Sequence, residues 1–153
     1  MQKIKVFLIL TSLLIFISAV GLSAQSMNII DDLLDQEVAE YGEAVYLITV
    51  GSGAVNESAS ISEAMSTAAE EKWISKRADA DDSISLGEVS YIIMKSLKIR
   101  GGLMYKLFPS PRYAVRELAY LEIVTGQAHP GDNLSGEDVM NILSRAIDFK
   151  EGI

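Results

Sequence analysis

Cysteine is absent from all 153 residues, histidine and tryptophan occur once each, and proline three times. Without cysteine there is no disulfide framework, no thiolate nucleophile and no cysteine to carry a lipid, so the fold rests on its apolar core alone. The one histidine, His129, has neither a second histidine nor a cysteine with which to complete a metal site. Serine hydrolysis through it would need a nucleophile elbow. No Gly-x-Ser-x-Gly occurs, and Gly51-Ser52-Gly53 matches that pattern only superficially. The neighbouring carboxylates Glu70-Glu71 and Asp31-Asp32 point to different sides of a helix and do not make a glycosidase pair. A phosphate-cradling loop is also missing. These absences argue against an enzyme, and no catalytic residue, metal ligand or cofactor is expected.

Basic residues are the scarcer charge, 13 against 21 acidic, for a net charge of −8. Two of them, Lys3 and Lys5, stand ahead of an uncharged apolar run from Val6 to Val20, and Gly21-Leu22-Ser23-Ala24 supplies small residues before Gln25. That order of positive end, apolar centre and small residues is the pattern of a cleavable export signal over residues 1–24. Uncleaved, the run from Val6 to Leu22 is near the lower length limit of a spanning helix and would make an inner-membrane anchor. Thr11, Ser12 and Ser18 interrupt it and no charged stop follows, which favours cleavage. The expected location is periplasmic or envelope-associated. Loss of the signal leaves 129 residues carrying 11 basic and 21 acidic side chains, a net charge of −10. That is one domain with a proper core, and its acidity disfavours nucleic acid as a partner.

Shifting the sequence by 50 residues pairs Ala64 with Ala114, Ala69 with Ala119, Ala78 with Ala128, Asp82 with Asp132, Ser85 with Ser135, Val89 with Val139 and Ile92 with Ile142. Trp73-Ile74 falls on Ile123-Val124 in the same register. Self-similarity of this kind marks a repeated folding unit. Each unit reads as helix, loop, helix. Val89, Ile92, Ile93, Ser96 and Leu97 keep the spacing of one buried helix face, and Val139, Ile142, Leu143, Ala146 and Ile147 repeat it. Both of these helices open with Ser and an acid three residues on, Ser85 with Glu88 and Ser135 with Asp138, the spacing of a capping box. The first helices are predicted from about Ser62 to Trp73 and from Pro111 to Val124.

A finer period of 25 spaces Asp35, Ser60, Ser85, Ser110 and Ser135 as candidate caps, with Ser62 competing against Ser60. It predicts a further helix over 36–50, although Ala44 to Val50 is also a good strand run. Gly51 and Gly53 end the element either way. Ile29 to Leu34 reads as a helical turn packed on the body or as a frayed leader. The expected class is all-α: a leader or short helix over 25–34, then a compact bundle of helix-loop-helix repeats over 35–150, with units 62–98 and 112–148.

The pattern Ala69 to Ile74 then Ser85 to Leu97, and Ala119 to Gly126 then Ser135 to Ile147, resembles the S-layer homology repeat of bacterial envelope proteins. The resemblance covers residues 62–148 and implies helical repeats in an envelope setting. In that family the second helix begins with a Thr-Arg-Ala-Glu type motif whose Arg contacts anionic cell-wall polymer. Here the matching positions read Ser85-Leu86-Gly87-Glu88 and Ser135-Gly136-Glu137-Asp138, with the cap and an acid but no Arg. Of the family's loop glycine and aromatic, only Gly126 stands in place.

Residues 95–116 hold Lys95, Lys98, Arg100, Lys106, Arg112 and Arg116 and no acid, with Tyr105, Phe108 and Tyr113 interleaved. Gly101-Gly102 and Pro109-Ser110-Pro111 make the connection irregular. A positive segment with aromatics suits an anionic envelope polymer, a membrane surface or an acidic protein partner. The candidate contact residues are Lys98, Arg100, Tyr105, Lys106, Phe108, Arg112, Tyr113 and Arg116. Alternatively, Leu103, Met104, Leu107 and Phe108 plug the groove between units while the cations pair with the chain's own acidic helices.

Asp79, Asp81, Asp82 and Ser83 resemble the start of a calcium loop, but an EF-hand needs Gly where Ile84 stands and Glu where Ser90 stands. They read better as solvated acids ahead of a helix N-terminus. Three functions compete on these residues. The first is a non-enzymatic exported binding domain. The second is a small periplasmic hydrolase using the acids of 79–82 and of 129–132 with His129, and the third is a structural envelope subunit.

Overall fold

The computed structural model describes residues 27–152, so the expected signal over 1–24 lies outside the described residues. Among those described there are seven helices and no strand. They are α1 (27–34), α2 (Tyr41–Gly51), α3 (Ile61–Glu70), α4 (Leu86–Ser96), α5 (Leu103–Leu107), α6 (Pro111–Tyr120) and α7 (Gly136–Glu151). None is long and apolar enough to cross a membrane.

Helix α2 is the hub. It packs on α3, α4 and α7, while α4 also meets α6 and α7. Tyr41, Gly42 and Ala44 to Thr49 are all buried, so α2 is apolar nearly all round, as a helix enclosed by others must be. That enclosure overrides the strand propensity of Val45-Tyr46-Leu47-Ile48. Thr49 is buried without penalty because its hydroxyl donates to the Tyr46 carbonyl at 2.9 Å. Leu33 of α1 is fully buried in the same core.

Three extended segments lead into α2, α4 and α7, and their backbones close a ring. The Ala39 amide donates to Leu134 O at 2.7 Å, and the Ile84 amide to Ala39 O at 3.0 Å. The Tyr41 and Gly42 amides donate to Asp82 O (2.7 Å) and Ala80 O (2.9 Å), and those of Leu86 and Gly87 to Asp132 O and Pro130 O (both 2.8 Å). Gly136 closes the circuit with an amide bond to Gln36 O at 3.0 Å. The bonds from Tyr41, Gly42, Leu86, Gly87 and Gly136 satisfy first-turn amides that have no acceptor within their own helix. Ser85 and Ser135 accept from the amides of Glu88 and Asp138, whose carboxylates accept from the serine amides in return, completing the capping boxes that the Ser-x-x-acid spacing calls for.

The ring corrects the start of α2. The cap predicted at Asp35 is not used; the helix begins at Tyr41 after Glu40, which makes no side-chain cap bond because the Asp82 and Ala80 carbonyls meet the first amides. Ser60, rather than Ser62, caps α3 through the Glu63 amide. Helices α3 and α6 end at Glu70 and Tyr120, short of the predicted Trp73 and Val124. Both end alike. Lys72 and Glu122 take left-handed φ values of 60° and 59°, and Trp73 and Ile123 fold back to donate to Ala68 O and Leu118 O, the bond of a Schellman turn. Ile123 and Val124 are thereby buried, and Trp73 and Ile74 pack against the core.

Two substitutions of opposite sign test this frame. A Cβ at Gly87 would stand 2.8 Å from Pro130 O and 3.0 Å from Pro111 Cβ, so Gly87→Ala must push the ring open at a cost of about 1–3 kcal/mol in urea titration. Glu122 is exposed and held in the left-handed region without being glycine. Glu122→Gly relieves that conformation and is expected to raise stability by about 0.5–1 kcal/mol.

Candidate functional site

The segment 98–120 is fixed from within and bare without. Lys98 follows α4 in a left-handed turn at φ 56°, which lets the Ile99 amide bond back to Met94 O at 3.0 Å and buries Ile99. The Gly102 amide donates to Glu117 Oε2 at 2.9 Å, tying the start of α5 to α6. Tyr105 then faces inward, 8 % exposed, with its ring edge-on to Tyr91 at 6.5 Å. Tyr105 is therefore the anchor of α5 and not a contact residue as the sequence suggested.

The remaining residues of α5 turn outward. Leu103 is 71 % exposed, Met104 47 %, Leu107 60 % and Phe108 61 %. This overturns the expected plug: the four apolar residues are exposed, and Tyr105 is the residue of α5 that is buried. Leu103 and Leu107 stand four residues apart and Met104 and Leu107 three, so they share one helical face. Lys106 belongs to the same helix, and Arg116 lines a cleft with Leu103 and Met104. Lys98, Arg100, Lys106, Arg112 and Arg116 are exposed, and Lys95 is half-buried with its Nζ 5.4 Å from the Tyr91 ring centroid. Tyr113 is half-buried, with the Arg116 guanidinium 5.9 Å from its ring.

Sequence reasoning missed Tyr120, which is 84 % exposed. Its signal was the spacing Arg112, Arg116, Tyr120, every fourth residue along one stripe of α6. Arg116 and Tyr120 join Leu103, Met104 and Tyr113 in lining a cleft of about 530 Å3 between α5 and α6.

The acid loops are occupied locally. Asp79 accepts from the Asp81 amide at 3.3 Å, and Asp132 from the His129 amide at 3.0 Å. Glu88 and Asp138 are held in their capping boxes. Among the described residues no three of His, Cys, Asp and Glu are gathered as metal ligands.

Two further clefts went unnoticed in the sequence. Trp73, Ile74, Ser75, Glu88, Tyr91 and Ile92 line one of about 250 Å3; Ile123, Val124, Thr125, Asp138, Asn141 and Ile142, each 50 residues on, line another of about 300 Å3. Arg145 fills part of the second by donating to Ile123 O (3.4 Å) and Thr125 Oγ1 (3.3 Å). Fifty residues earlier, Lys95 stacks on Tyr91 instead.

Burial pushes the Tyr105 hydroxyl up to about 12, with charge repulsion from the Tyr91 phenolic oxygen and the Glu117 carboxylate adding to the shift, and burial beside Glu88 does the same for Tyr41. A folded-state value above the unfolded one means the protein is stabilised fully below about pH 10 and loses that contribution as pH rises toward about 12. The Tyr105 oxygen has no hydrogen-bond partner. Tyr105→Phe is expected to leave neutral-pH stability unchanged or improved within about 1 kcal/mol and to move alkaline unfolding to higher pH. Thermal melts from pH 7 to 12 measure both.

Compared with family models, with curated proteins and with solved structures, the chain finds no match.

Proposed function

We propose that this chain is an exported, non-enzymatic helical repeat domain that binds an anionic component of the cell envelope through the face built by residues 98–120. The observation that carries the reading is the exposure of five cations, Lys98, Arg100, Lys106, Arg112 and Arg116, in one acid-poor stretch of an acidic chain. Export rests on the positive, apolar and small-residue order of residues 1–24. An envelope repeat of the S-layer homology kind is supported by features that recur at 50 residues: the left-handed turns at Lys72 and Glu122, the capping boxes at Ser85 and Ser135, and the two lateral clefts. The departure is equally plain. Leu86 and Gly136 follow the cap serines where that family places Arg, so the cations proposed to bind are instead those between α4 and α5 and on α5 and α6.

The rest of the chain carries an excess of acid and is repelled by an anionic surface, so the segment carrying these five cations is the part that approaches it. Binding through this face is therefore oriented and sensitive to salt, because exposed charges are screened over ~8–10 Å near physiological ionic strength. Near an anionic surface each Lys or Arg contributes about 1 kcal/mol. Removing three is expected to weaken binding roughly a hundredfold. Lys106, Arg112 and Arg116 are the residues to change to Gln, since exposed charges contribute only ~0–1 kcal/mol each to stability. Co-sedimentation with purified wall material and with membranes, at low and high salt, measures the effect. Undiminished binding by the triple variant, or salt-insensitive binding by the parent, would overturn the proposal.

A further inference from the structure

We infer that the envelope component is an anionic phospholipid bilayer, and that Leu103, Met104, Leu107 and Phe108 insert at its surface while the surrounding cations hold the lipid phosphates. The inference rests on the binding face proposed above and deepens it by naming the partner. Cations alone suit any polyanion. Four large apolar side chains turned to water within six residues do not, because a hydrated anionic polymer offers them nothing apolar to meet.

The apolar exposure is concentrated. Of the eight exposed large hydrophobic residues among those described, Leu103, Met104, Leu107, Phe108 and Tyr120 come from this one segment. Single exposed apolar residues are ordinary on a soluble surface, whereas a contiguous cluster with a polar rim marks a contact. Its chemistry fits an interface between water and hydrocarbon. Leucine, methionine and phenylalanine present the face, Tyr120 offers a ring with a polar end suited to headgroup depth, and Lys106 and Arg116 can extend toward phosphates while their stems lie along apolar surface.

The face is fixed from beneath. Tyr105, wedged against Tyr91, and the Gly102 amide on Glu117 hold α5 to the body from behind. The cleft between α5 and α6 continues the face inward, with Leu103 and Met104 on one wall and Arg116 and Tyr120 on the other. An acyl chain lying along that wall would bring its phosphate to Arg116. Charge complementarity selects the lipid: phosphatidylglycerol or cardiolipin supplies phosphates to the cations and hydrocarbon to the leucines at once.

The test is deuterium exchange of the full-length chain, read peptide by peptide so that any association through residues 1–26 is seen separately. The chain is mixed with phosphatidylglycerol–phosphatidylcholine vesicles, with phosphatidylcholine vesicles, or with dextran sulfate as an anionic polymer lacking hydrocarbon. Peptides over 102–108 and 112–120 are expected to gain protection on the anionic vesicles and little on the neutral ones. Leu103→Ser with Leu107→Ser is expected to raise the lipid needed for half protection tenfold or more, leaving the response to dextran sulfate unchanged. Both leucines are exposed, so the double variant keeps its fold, checked by its thermal melt.

If dextran sulfate protects 98–120 as strongly as the anionic vesicles and the double variant behaves as the parent, the lipid assignment falls and the anionic-envelope reading stands. Should the same peptides become protected with rising protein concentration and no vesicles, the face joins copies of this chain and the lipid assignment also falls. Protection by neither vesicles nor polymer would overturn both.

Discussion

Three extended segments bonded to one another by their backbones hold this protein together. Each precedes a central helix, and each is bonded, as donor or acceptor, to both of the others. The arrangement solves a problem common to all helices, the first-turn amides that have no acceptor within the helix. In α4 the accounting is complete: Leu86 bonds to Asp132 O, Gly87 to Pro130 O, Glu88 to the Ser85 hydroxyl, and Val89 to Ser85 O. Side-chain caps alone would have left two of these amides to water. Because Ala39, Ile84 and Leu134 are buried where the segments meet, the polar ring and the apolar core are the same region of the molecule.

That closeness dictates composition. A Cβ at Gly136 would overlap the carbonyl oxygen of Leu33, so α7 can start where it does only with glycine there. Proline at 130 fits the same logic, since its carbonyl accepts from Gly87 and no ring bond is asked of its nitrogen. The position after the cap serine, where an S-layer homology repeat carries Arg, holds buried Leu86 in one helix and buried Gly136 in the other. A long cation does not fit a position that faces the ring interior.

Local signals made part of this fold legible. The apolar spacing of Val89 to Leu97 and of Val139 to Ile147, with a Ser and an acid at each start, located α4 and α7 within a residue or two at their starts. The start of α2 was hidden because its amides are met by carbonyls 40 residues away, and no property of residues 35–41 records that. Its apolar run was ambiguous for the same reason: strand-forming residues fit a helix once neighbours cover every side, and single-sequence periodicity does not see neighbours. In the candidate site the cations were visible by composition and the roles of the apolar residues were not. A helix of five residues carries too little period to say that Tyr105 points in while Leu103 and Leu107 point out.

The start of α6, in that same stretch, departs from rules that other helix starts keep. Ser110 makes no side-chain cap bond to α6, whereas the left-handed Lys98 and the unpartnered Tyr105 oxygen have counterparts elsewhere in Lys72, Glu122 and Ser90. The first turn of α6 has no acid and carries Arg112, where the helix dipole favours the opposite charge. The uncapped start of α6 and its first-turn cation are small penalties that neighbouring helices avoid: α3, α4 and α7 all have capped starts and an acid in the first turn. Natural sequences tolerate such penalties where function asks for a particular surface. An anion laid against α6 would offset the repulsion at Arg112, and an apolar phase against α5 would cover its leucines. The features that are unfavourable in water are the ones an anionic, partly apolar surface would relieve, which is why the contact is assigned to this face and not to the lateral clefts.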